Sequence, residues 1–224
     1  NHLHFSRYRM QSKVILTTTA ILILLPALYF YFGEFRQGSF GIRLLLSLFQ
    51  SVTPRTAGFN TADFSQLSAS GQMLTIILML IGGSPGSTAG GMKTTTLAVL
   101  TSTAVSVFRR NENPELFKRR IAPETVANAA SILMMYLSLC LTGAFLISRI
   151  EELPMMACMF ETASAVGTVG LSFGITPGLG SISRIILIIL MYLGRVGGLT
   201  LIYAALSGHR IRFGKYPLEK ITVG

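Results

Sequence analysis

Apolar residues are concentrated in four long blocks, and polar or charged segments separate these blocks from one another. The blocks are residues 14–32, 72–107, 125–148 and 185–207. Two of them contain no charged residue, and the other two contain one each, Lys93 and Arg195. A helix needs about 20 predominantly apolar residues to cross the hydrocarbon core of a bilayer. The pattern therefore predicts four membrane spans.

The first block lies near the start of the sequence, where a signal sequence would also lie. It is too long for the apolar region of a signal sequence, and no small-residue cleavage site follows it. We therefore interpret residues 14–32 as a span. Since the first residue is Asn1 rather than methionine, we expect the chain to begin inside a longer protein.

The composition is that of a membrane protein rather than an ordinary soluble domain. Hydrophobic residues make up 50% of the chain, charged residues only 12%, and the mean hydropathy is +0.58. A soluble domain has about a quarter charged residues. The net charge of +10 would by itself suggest a nucleic-acid partner, so the positions of the charges have to decide.

Most basic residues lie on one side of the predicted spans. If four spans alternate in direction, twelve basic residues fall on one side and five on the other. The twelve are Arg7, Arg9, Lys13, Arg109, Arg110, Lys118, Arg119, Arg120, Arg210, Arg212, Lys215 and Lys220, and the five are Arg36, Arg43, Arg55, Arg149 and Arg184. Because Lys and Arg are enriched on the cytoplasmic side, we expect both ends of the chain to be cytoplasmic. The charge orients the chain, and we expect no nucleic-acid partner.

Two further apolar segments, residues 42–52 and 155–166, are too short to cross a bilayer. Each lies between two predicted spans, on the side with few basic residues. Irregular backbone at membrane depth is tolerated only where protein buries it or where it lines a watery cavity. We therefore expect two short helices that re-enter the membrane, each followed by a loop with a function.

The loops after these short helices are similar in sequence. Residues 56–60 read Thr-Ala-Gly-Phe-Asn, and residues 168–172 read Thr-Val-Gly-Leu-Ser. The order of span, short helix, Thr-x-Gly loop and span thus occurs twice, which is an internal repeat. We predict an all-α integral membrane fold with two tandem repeats, residues 1–123 and 124–224. Each repeat would contain an outer helix, a re-entrant pore helix, a filter loop and an inner helix.

The Thr-x-Gly loops have the residue types of an ion filter. In potassium channels, the carbonyl oxygens of Thr-Val-Gly-Tyr-Gly loops replace the water around the ion. Carbonyls that face one axis require alternating backbone conformations, and glycine adopts positive φ without a steric penalty. We predict that potassium binds at the carbonyl oxygens of both loops. The predicted filter residues are Thr56, Ala57, Gly58, Phe59, Thr168, Val169, Gly170 and Leu171.

With these two loops, in the forms Thr-Ala-Gly-Phe-Asn and Ser-Ala-Val-Gly-Thr-Val-Gly-Leu-Ser, the whole chain resembles the Trk/Ktr/HKT superfamily of potassium transporters. The closest likeness is to bacterial membrane subunits of the TrkH and KtrB type. In that family one chain carries four repeats around one pore, and the two repeats here resemble the third and the fourth. The resemblance implies potassium uptake across the bacterial cytoplasmic membrane. It also implies a homodimer, a cytoplasmic nucleotide-binding regulatory subunit and contact with membrane lipid.

A second hypothesis is a non-conducting membrane scaffold or half-length partner subunit, because two filter loops cannot surround an ion as four do. The first two repeats are missing from this sequence. Two more Thr-x-Gly repeats encoded upstream of Asn1 would favour the pore.

The block of residues 72–107 is interrupted near its middle by five glycines and Pro85. Because these residues disfavour a continuous helix, we predict a helix, an irregular loop and a second helix. A kinked helix with close-packed glycines is the alternative. The segment also approaches a Walker A loop, but Met92 spoils the spacing before Lys93.

In the resembling family, this position holds an intramembrane loop that gates the pore beneath the filter, and an arginine of the last span contacts the loop. The resemblance therefore implies a gate here. Its residues are Gly82, Gly83, Ser84, Pro85, Gly86, Ser87, Thr88, Ala89, Gly90, Gly91 and Arg195. From the residues alone, Arg195 is also compatible with a structural arginine that binds helix-end carbonyls.

The sequence leaves the roles of three other charged residues open. Lys93 either belongs to the site or extends toward the cytoplasmic surface. Glu161 either supports the filter through hydrogen bonds or faces the outside, and Arg55 is either a brace or a rim charge. Cys140 and Cys158 are interpreted as packing residues without a disulfide. No catalytic set accompanies His2, His4 or His209, so we expect neither an enzyme nor a cofactor.

Overall fold

The structure is a computed structural model that describes residues 8–111 and 113–197. Seven helices are present in this part of the chain: α1 (Met10–Gly33), α2 (Phe40–Val52), α3 (Ala69–Leu80), α4 (Thr94–Phe108), α5 (Pro123–Glu151), α6 (Met155–Val166) and α7 (Ser181–Val196). Short 3₁₀ turns at Phe64–Gln66 and Thr176–Gly178 precede α3 and α7. Two short strands, β1 (Glu115–Leu116) and β2 (Arg119–Arg120), connect α4 to α5.

Two of the described helices, α1 and α5, are long and apolar enough to cross a membrane. The predicted span of residues 72–107 is divided into α3 and α4, with residues 81–93 between them. The fourth predicted span is helical from its start at residue 185 to Val196. Its remainder, like the basic segment 208–224 and residues 1–7, lies outside the described residues.

The order of long helix, short helix, loop and further helix occurs twice. In the first half α1 packs against α2, and in the second half α5 packs against α6. Helix α6 is at the centre of the molecule, because it contacts α3, α5 and α7 and every residue from 160 to 166 is buried. The loop that follows α6 is therefore held by a rigid core.

A carboxylate at the end of each long helix binds the start of the third helix in the same half. Glu34, which follows α1, accepts hydrogen bonds from the backbone N–H of Ser68 at 3.0 Å and from its hydroxyl. Glu151, the last residue of α5, accepts them from the N–H of Gly180 at 2.8 Å and from Ser183 Oγ at 2.6 Å. Because the first amides of a helix lack internal partners, each carboxylate fixes where α3 or α7 begins.

The connection between α4 and α5 differs from the all-α prediction. Strands β1 and β2 pair antiparallel, with Glu115 opposite Arg120 and Leu116 opposite Arg119. The two tip residues, Phe117 and Lys118, have φ values of 49° and 60°, as a two-residue type I′ hairpin requires. Neither residue is of a type that favours this turn, which explains why the sequence did not predict it.

Helices α6 and α7 approach closely at Gly194. A Cβ added at this glycine would fall on the carbonyl oxygen of Val166, the last residue of α6. The hydroxyl of Tyr136 on α5 also donates to Gly194 O, at 3.4 Å. The position therefore fixes the distance between α7 and the loop that follows α6.

We expect Gly194→Ala to destabilise the full-length protein by about 1–3 kcal/mol, because the added methyl group overpacks this contact. Gly41→Ala is the matched control, since a Cβ at that helical glycine meets nothing within 4 Å. Thermal unfolding in detergent would measure the difference. Equal melting temperatures for the two variants would contradict the close approach.

Candidate functional site

The first Thr-x-Gly loop is held by its amides at the end of α2. The N–H groups of Ala57 and Gly58 both donate to Thr53 O, at 3.2 and 3.0 Å. The hydroxyl of the buried Thr53 donates to Phe59 O at 2.5 Å. The carbonyl of Phe59, one of the predicted filter residues, is therefore already paired within the protein.

The second loop is held in the same way at the end of α6. Thr168 N donates to Ala165 O at 3.0 Å and Val169 N to Ser164 O at 2.9 Å. The amide of Gly170 donates to Ser164 Oγ at 3.1 Å. In both loops the short helix binds the amides, so the carbonyls are left to point elsewhere.

Both loops have the same alternation of backbone conformation. Positive φ occurs at Thr56 (67°) and Gly58 (73°) in the first loop, and at Thr168 (51°) and Gly170 (92°) in the second. Positive φ is rare for a β-branched residue, and such strain persists only where the surrounding structure enforces it. The likeness of the two loops thus extends from their sequence to their backbone.

Oxygen atoms of both loops lack partners. Within residues 8–111 and 113–197, the carbonyls of residues 56–58 and 168–171 accept no hydrogen bond. The buried hydroxyls of Thr56 and Thr168 also have no partner among the described residues. Buried polar groups normally find a partner. Two equivalent loops with unpaired oxygens therefore offer a ligand set for a cation.

The two loops touch each other, and an open cavity follows the second. A Cβ at Gly58 would fall on the carbonyl oxygen of Val169, so only glycine fits there. A Cβ at Gly170 would meet nothing within 4 Å. The cavity has a volume of about 730 Å³, and its lining includes Thr168, Gly170, Ser172, Leu187, Met191 and Arg195.

Glu161 on α6 braces the segment that follows the second loop. The side chain is 5% exposed and accepts three hydrogen bonds. The donors are Ser172 Oγ at 2.7 Å, Phe173 N at 2.9 Å and Thr176 Oγ1 at 2.7 Å. Of the two roles left open by the sequence, the structure supports the hydrogen-bonding one.

The matching residue on α2 is Gln50, and its surroundings are different. This side chain is fully buried, yet neither atom of its amide has a hydrogen-bond partner among the described residues. The segment after the first loop is organised instead by Asp63, whose Oδ1 accepts from Ser65 Oγ at 2.6 Å and from Ser65 N at 3.0 Å. These hydrogen bonds lower the pKa of Asp63, so this exposed carboxylate is negatively charged at neutral pH.

Residues 82–91 are not helical, as the glycines and Pro85 predicted, which excludes the continuous kinked helix. The base of this loop is closed by Gly82 N donating to Met92 O at 2.8 Å and by Met92 N donating to Leu80 O at 3.0 Å. Close to this base, a Cβ on Gly90 would fall on Thr168 Oγ1. The loop therefore lies directly against the threonine of the second Thr-x-Gly loop.

Two cations hold three successive carbonyls of this loop. Lys93 Nζ donates to Ser87 O at 3.2 Å and to Ala89 O at 2.7 Å. Arg195 Nη1 on α7 donates to Thr88 O at 2.6 Å. Lys93, which directly follows the loop in sequence, thus folds back onto the loop's carbonyls rather than extending toward the surface. Arg195 links the loop to a different helix.

The other residues singled out by the sequence do not join this site. Arg55 is half-buried, and its Nε has no partner among the described residues. Cys140 and Cys158 are buried and unbridged, in keeping with a packing role. Thr53, Ser164 and the two helix-capping glutamates were not predicted from the sequence, because their partners lie on other turns or other helices.

Comparison with known proteins shows the family of this chain. A family model described as TrkH, cation transport protein, matches residues 10–209. The chain belongs to the TrkH family. The family prediction made from the Thr-x-Gly loops is therefore confirmed, and the chain is a helical membrane protein.

Several ion uptake proteins are similar to this chain. The potassium/sodium uptake protein NtpJ of Enterococcus hirae is 40% identical over 96% of this chain and 50% of its own length. The Ktr system potassium uptake protein B of Bacillus subtilis is 34% identical over 98% of this chain and 51% of its own. The chain therefore spans about half the length of these relatives.

A solved member of the TrkH family has the same fold. The crystal structure of the potassium transporter TrkH from Vibrio parahaemolyticus matches with a TM-score of 0.72 at 20% identity. The match covers 87% of this chain and 43% of the solved one. The helical arrangement described above is thus that of a TrkH-family transporter.

Glu161 and Gln50 should respond differently to the same substitution. Glu161→Leu leaves three hydrogen-bond donors unpaired and should destabilise the full-length protein by about 3 kcal/mol. Gln50→Leu replaces a buried, unpaired amide with an apolar side chain of similar size and should be neutral or stabilising. Thermal unfolding of both variants in detergent provides the comparison. Similar losses of stability in both would show that Gln50 has a partner and that Glu161 is no special brace.

Proposed function

We propose that this chain is half of a potassium uptake pore, with two filter loops and an intramembrane gate. The observation that carries the proposal is the matched pair of Thr-x-Gly loops, each with positive φ at its threonine and its glycine. In both loops the end of the short helix binds backbone amides, whereas the carbonyls of residues 56–58 and 168–171 accept no hydrogen bond from a described residue. Such carbonyls replace the hydration shell of a potassium ion.

The surrounding helices support a cation at these loops. Helices α2 and α6 both end at a loop, so the negative end of each helix dipole is directed toward it. The unpaired hydroxyls of Thr56 and Thr168 add one further oxygen at each loop. Potassium is the substrate in this proposal, and the relatives described above, which are potassium and potassium/sodium uptake proteins, support it.

In this proposal, the two loops are two of the four filter loops that surround the ion. The relatives are about twice as long as this chain, and the cavity beside Gly170 is open. Two preceding repeats of the same protein would supply the other loops. Residues 1–123 and 124–224 would then be the third and fourth repeats, with both ends of the chain in the cytoplasm. A homodimer and a cytoplasmic regulatory subunit belong to the same proposal.

The loop of residues 82–91 is the gate. It lies against Thr168, on the inner end of the second filter loop, and its carbonyls are bound by Lys93 and Arg195. Because the obstruction is backbone rather than a side chain, the loop has to be displaced before an ion passes. The Arg195 contact is the only one of these bonds that joins the described part of the loop to α7, so it is the latch.

The alternative is a non-conducting scaffold or half-length partner. A scaffold would need neither the unpaired carbonyls of the Thr-x-Gly loops nor an adjacent loop whose carbonyls are held by two cations. The geometry therefore favours the pore.

Gly170→Ser should reduce potassium uptake about tenfold or abolish discrimination against sodium, because positive φ penalises a side chain and displaces the carbonyls. Gly174→Ser is a matched control, since Gly174 also has positive φ (86°) and no atom within 4 Å of an added Cβ. Uptake by the full-length protein at low external potassium measures the effect. Normal growth and sodium exclusion with Gly170→Ser would contradict the filter, as would equal damage from both variants.

Arg195→Gln and deletion of residues 86–90 should each raise potassium flux, with ion selectivity retained, because filter and gate are separate elements. Losing a charged hydrogen bond of about 1.5–3 kcal/mol shifts the closed and open populations by about tenfold or more. Arg184→Gln is the control, because Arg184 also donates from α7 to a carbonyl, Pro177 O at 2.7 Å, away from the loop. Flux into liposomes would be measured after a check of folding by size-exclusion chromatography. Wild-type flux in a well-folded deletion variant would contradict the gate.

A further inference from the structure

The connection between α4 and α5 carries a cluster of five basic residues. The cluster comprises Arg109, Arg110, Lys118, Arg119 and Arg120, all of them exposed. Within the described residues these side chains form no ion pair or hydrogen bond with an acidic group. We call these five residues the basic cluster. It lies at the end of the molecule where α1 begins, α4 ends and α5 begins.

The hairpin of β1 and β2, which presents three of the five, is rigidly attached. Ser102 Oγ on α4 donates to Glu115 O at 2.9 Å, and Ser106 Oγ donates to Asn113 O at 2.9 Å. The amide of Ile121 donates to Pro114 O at 2.9 Å, and the Ile121 side chain is buried. The hairpin is therefore fixed to α4 and is not a loose loop.

The tip of the hairpin is strained. Phe117 and Lys118 both have positive φ, a conformation that is unfavourable for bulky residues. Strain of this kind is retained where it serves a site. Its effect here is to place an aromatic ring, 41% exposed, next to three consecutive cations.

An apolar groove opens beside this tip. It has a volume of about 370 Å³ and lies between α1 and α4. Its lining includes Val14, Ile21, Leu97, Thr101, Leu116 and Phe117. Leu116 is paired directly with Arg119 across the hairpin, so the apolar groove and the basic cluster are adjacent.

We propose that an anionic phospholipid binds here, with its phosphate headgroup on the basic cluster and an acyl chain in the groove between α1 and α4. Clusters of four to eight basic residues next to membrane helices attract anionic lipids. Exposed aromatic residues are typical of the headgroup level of a bilayer, and Phe108, at the end of α4, is 86% exposed. Lipid binding at this site requires only that the chain lies in a membrane, so the proposal is independent of the proposed filter and gate.

The charge and the groove together favour a lipid over an acidic protein surface. An acidic protein would satisfy the cations but would leave the adjoining groove unexplained. A phospholipid has both an anionic headgroup and an apolar chain, so a single molecule can contact the basic cluster and the adjacent groove together. The acidic protein is therefore the competing outcome of the test.

Native mass spectrometry of the full-length protein, incubated with equal amounts of phosphatidylglycerol and phosphatidylcholine, tests the headgroup contact. Wild type should retain phosphatidylglycerol preferentially. Lys118→Gln/Arg119→Gln/Arg120→Gln should lose this preference, by about fivefold for each cation removed. Arg36→Gln/Arg149→Gln/Arg184→Gln removes three charges from the opposite helix ends and should retain it. If the hairpin variant kept the preference for phosphatidylglycerol, the proposal would be overturned. Loss of a co-purified protein from that variant would then indicate that the cluster binds an acidic protein instead.

A second variant tests the groove without any change of charge. Thr101→Phe, at an exposed position on α4 that lines the groove, should fill it and reduce retained phosphatidylglycerol severalfold. Leu16→Phe is the control, because Leu16 is 52% exposed on α1 and lies outside the groove lining. Equal retention by both variants would overturn the acyl-chain contact, and size-exclusion profiles would verify folding.

Discussion

The rest of the structure depends on one requirement: non-helical backbone in apolar surroundings needs partners for its N–H and C=O groups. A peptide N–H or C=O without water or a protein partner is costly there. The amides of Ala57, Gly58, Thr168, Val169 and Gly170 are paired by the ends of α2 and α6. The carbonyls of residues 56–58 and 168–171 are paired by no described residue. In the proposed function, a dehydrated cation completes this one-sided arrangement.

In the loop of residues 82–91, by contrast, the protein itself provides partners for the backbone carbonyls. Its successive carbonyls at Ser87, Thr88 and Ala89 are bound by cationic side chains of the protein. A guanidinium is always charged, so Arg195 supplies both a hydrogen bond and a positive charge on the lining of the cavity that follows the second loop. If the loop is the gate, as we propose, its displacement would change both the obstruction and the electrostatic environment of the cavity.

The sequence predicted the parts of the fold that are encoded locally. The bounds of the second short helix and the non-helical path of residues 82–91 followed from apolar length and from glycine and proline, and both are confirmed. The contact of Arg195 with this loop, which the family resemblance implied, is also present, but the other contacts between distant residues were not predictable from one sequence. Nothing local distinguishes the braced Glu161 from the unpaired Gln50, or shows that Glu34 would bind Ser68. The strained hairpin at Phe117 was missed because its residues oppose the turn they form.

The most direct test of the central claim is to locate the ion in the full-length protein. Anomalous diffraction from crystals soaked in thallium or rubidium, which replace potassium, would show where a monovalent cation binds. The account predicts anomalous density within coordination distance of carbonyls in both residues 56–58 and residues 168–171. Density elsewhere, with these carbonyls hydrogen-bonded to other parts of the protein, would contradict it.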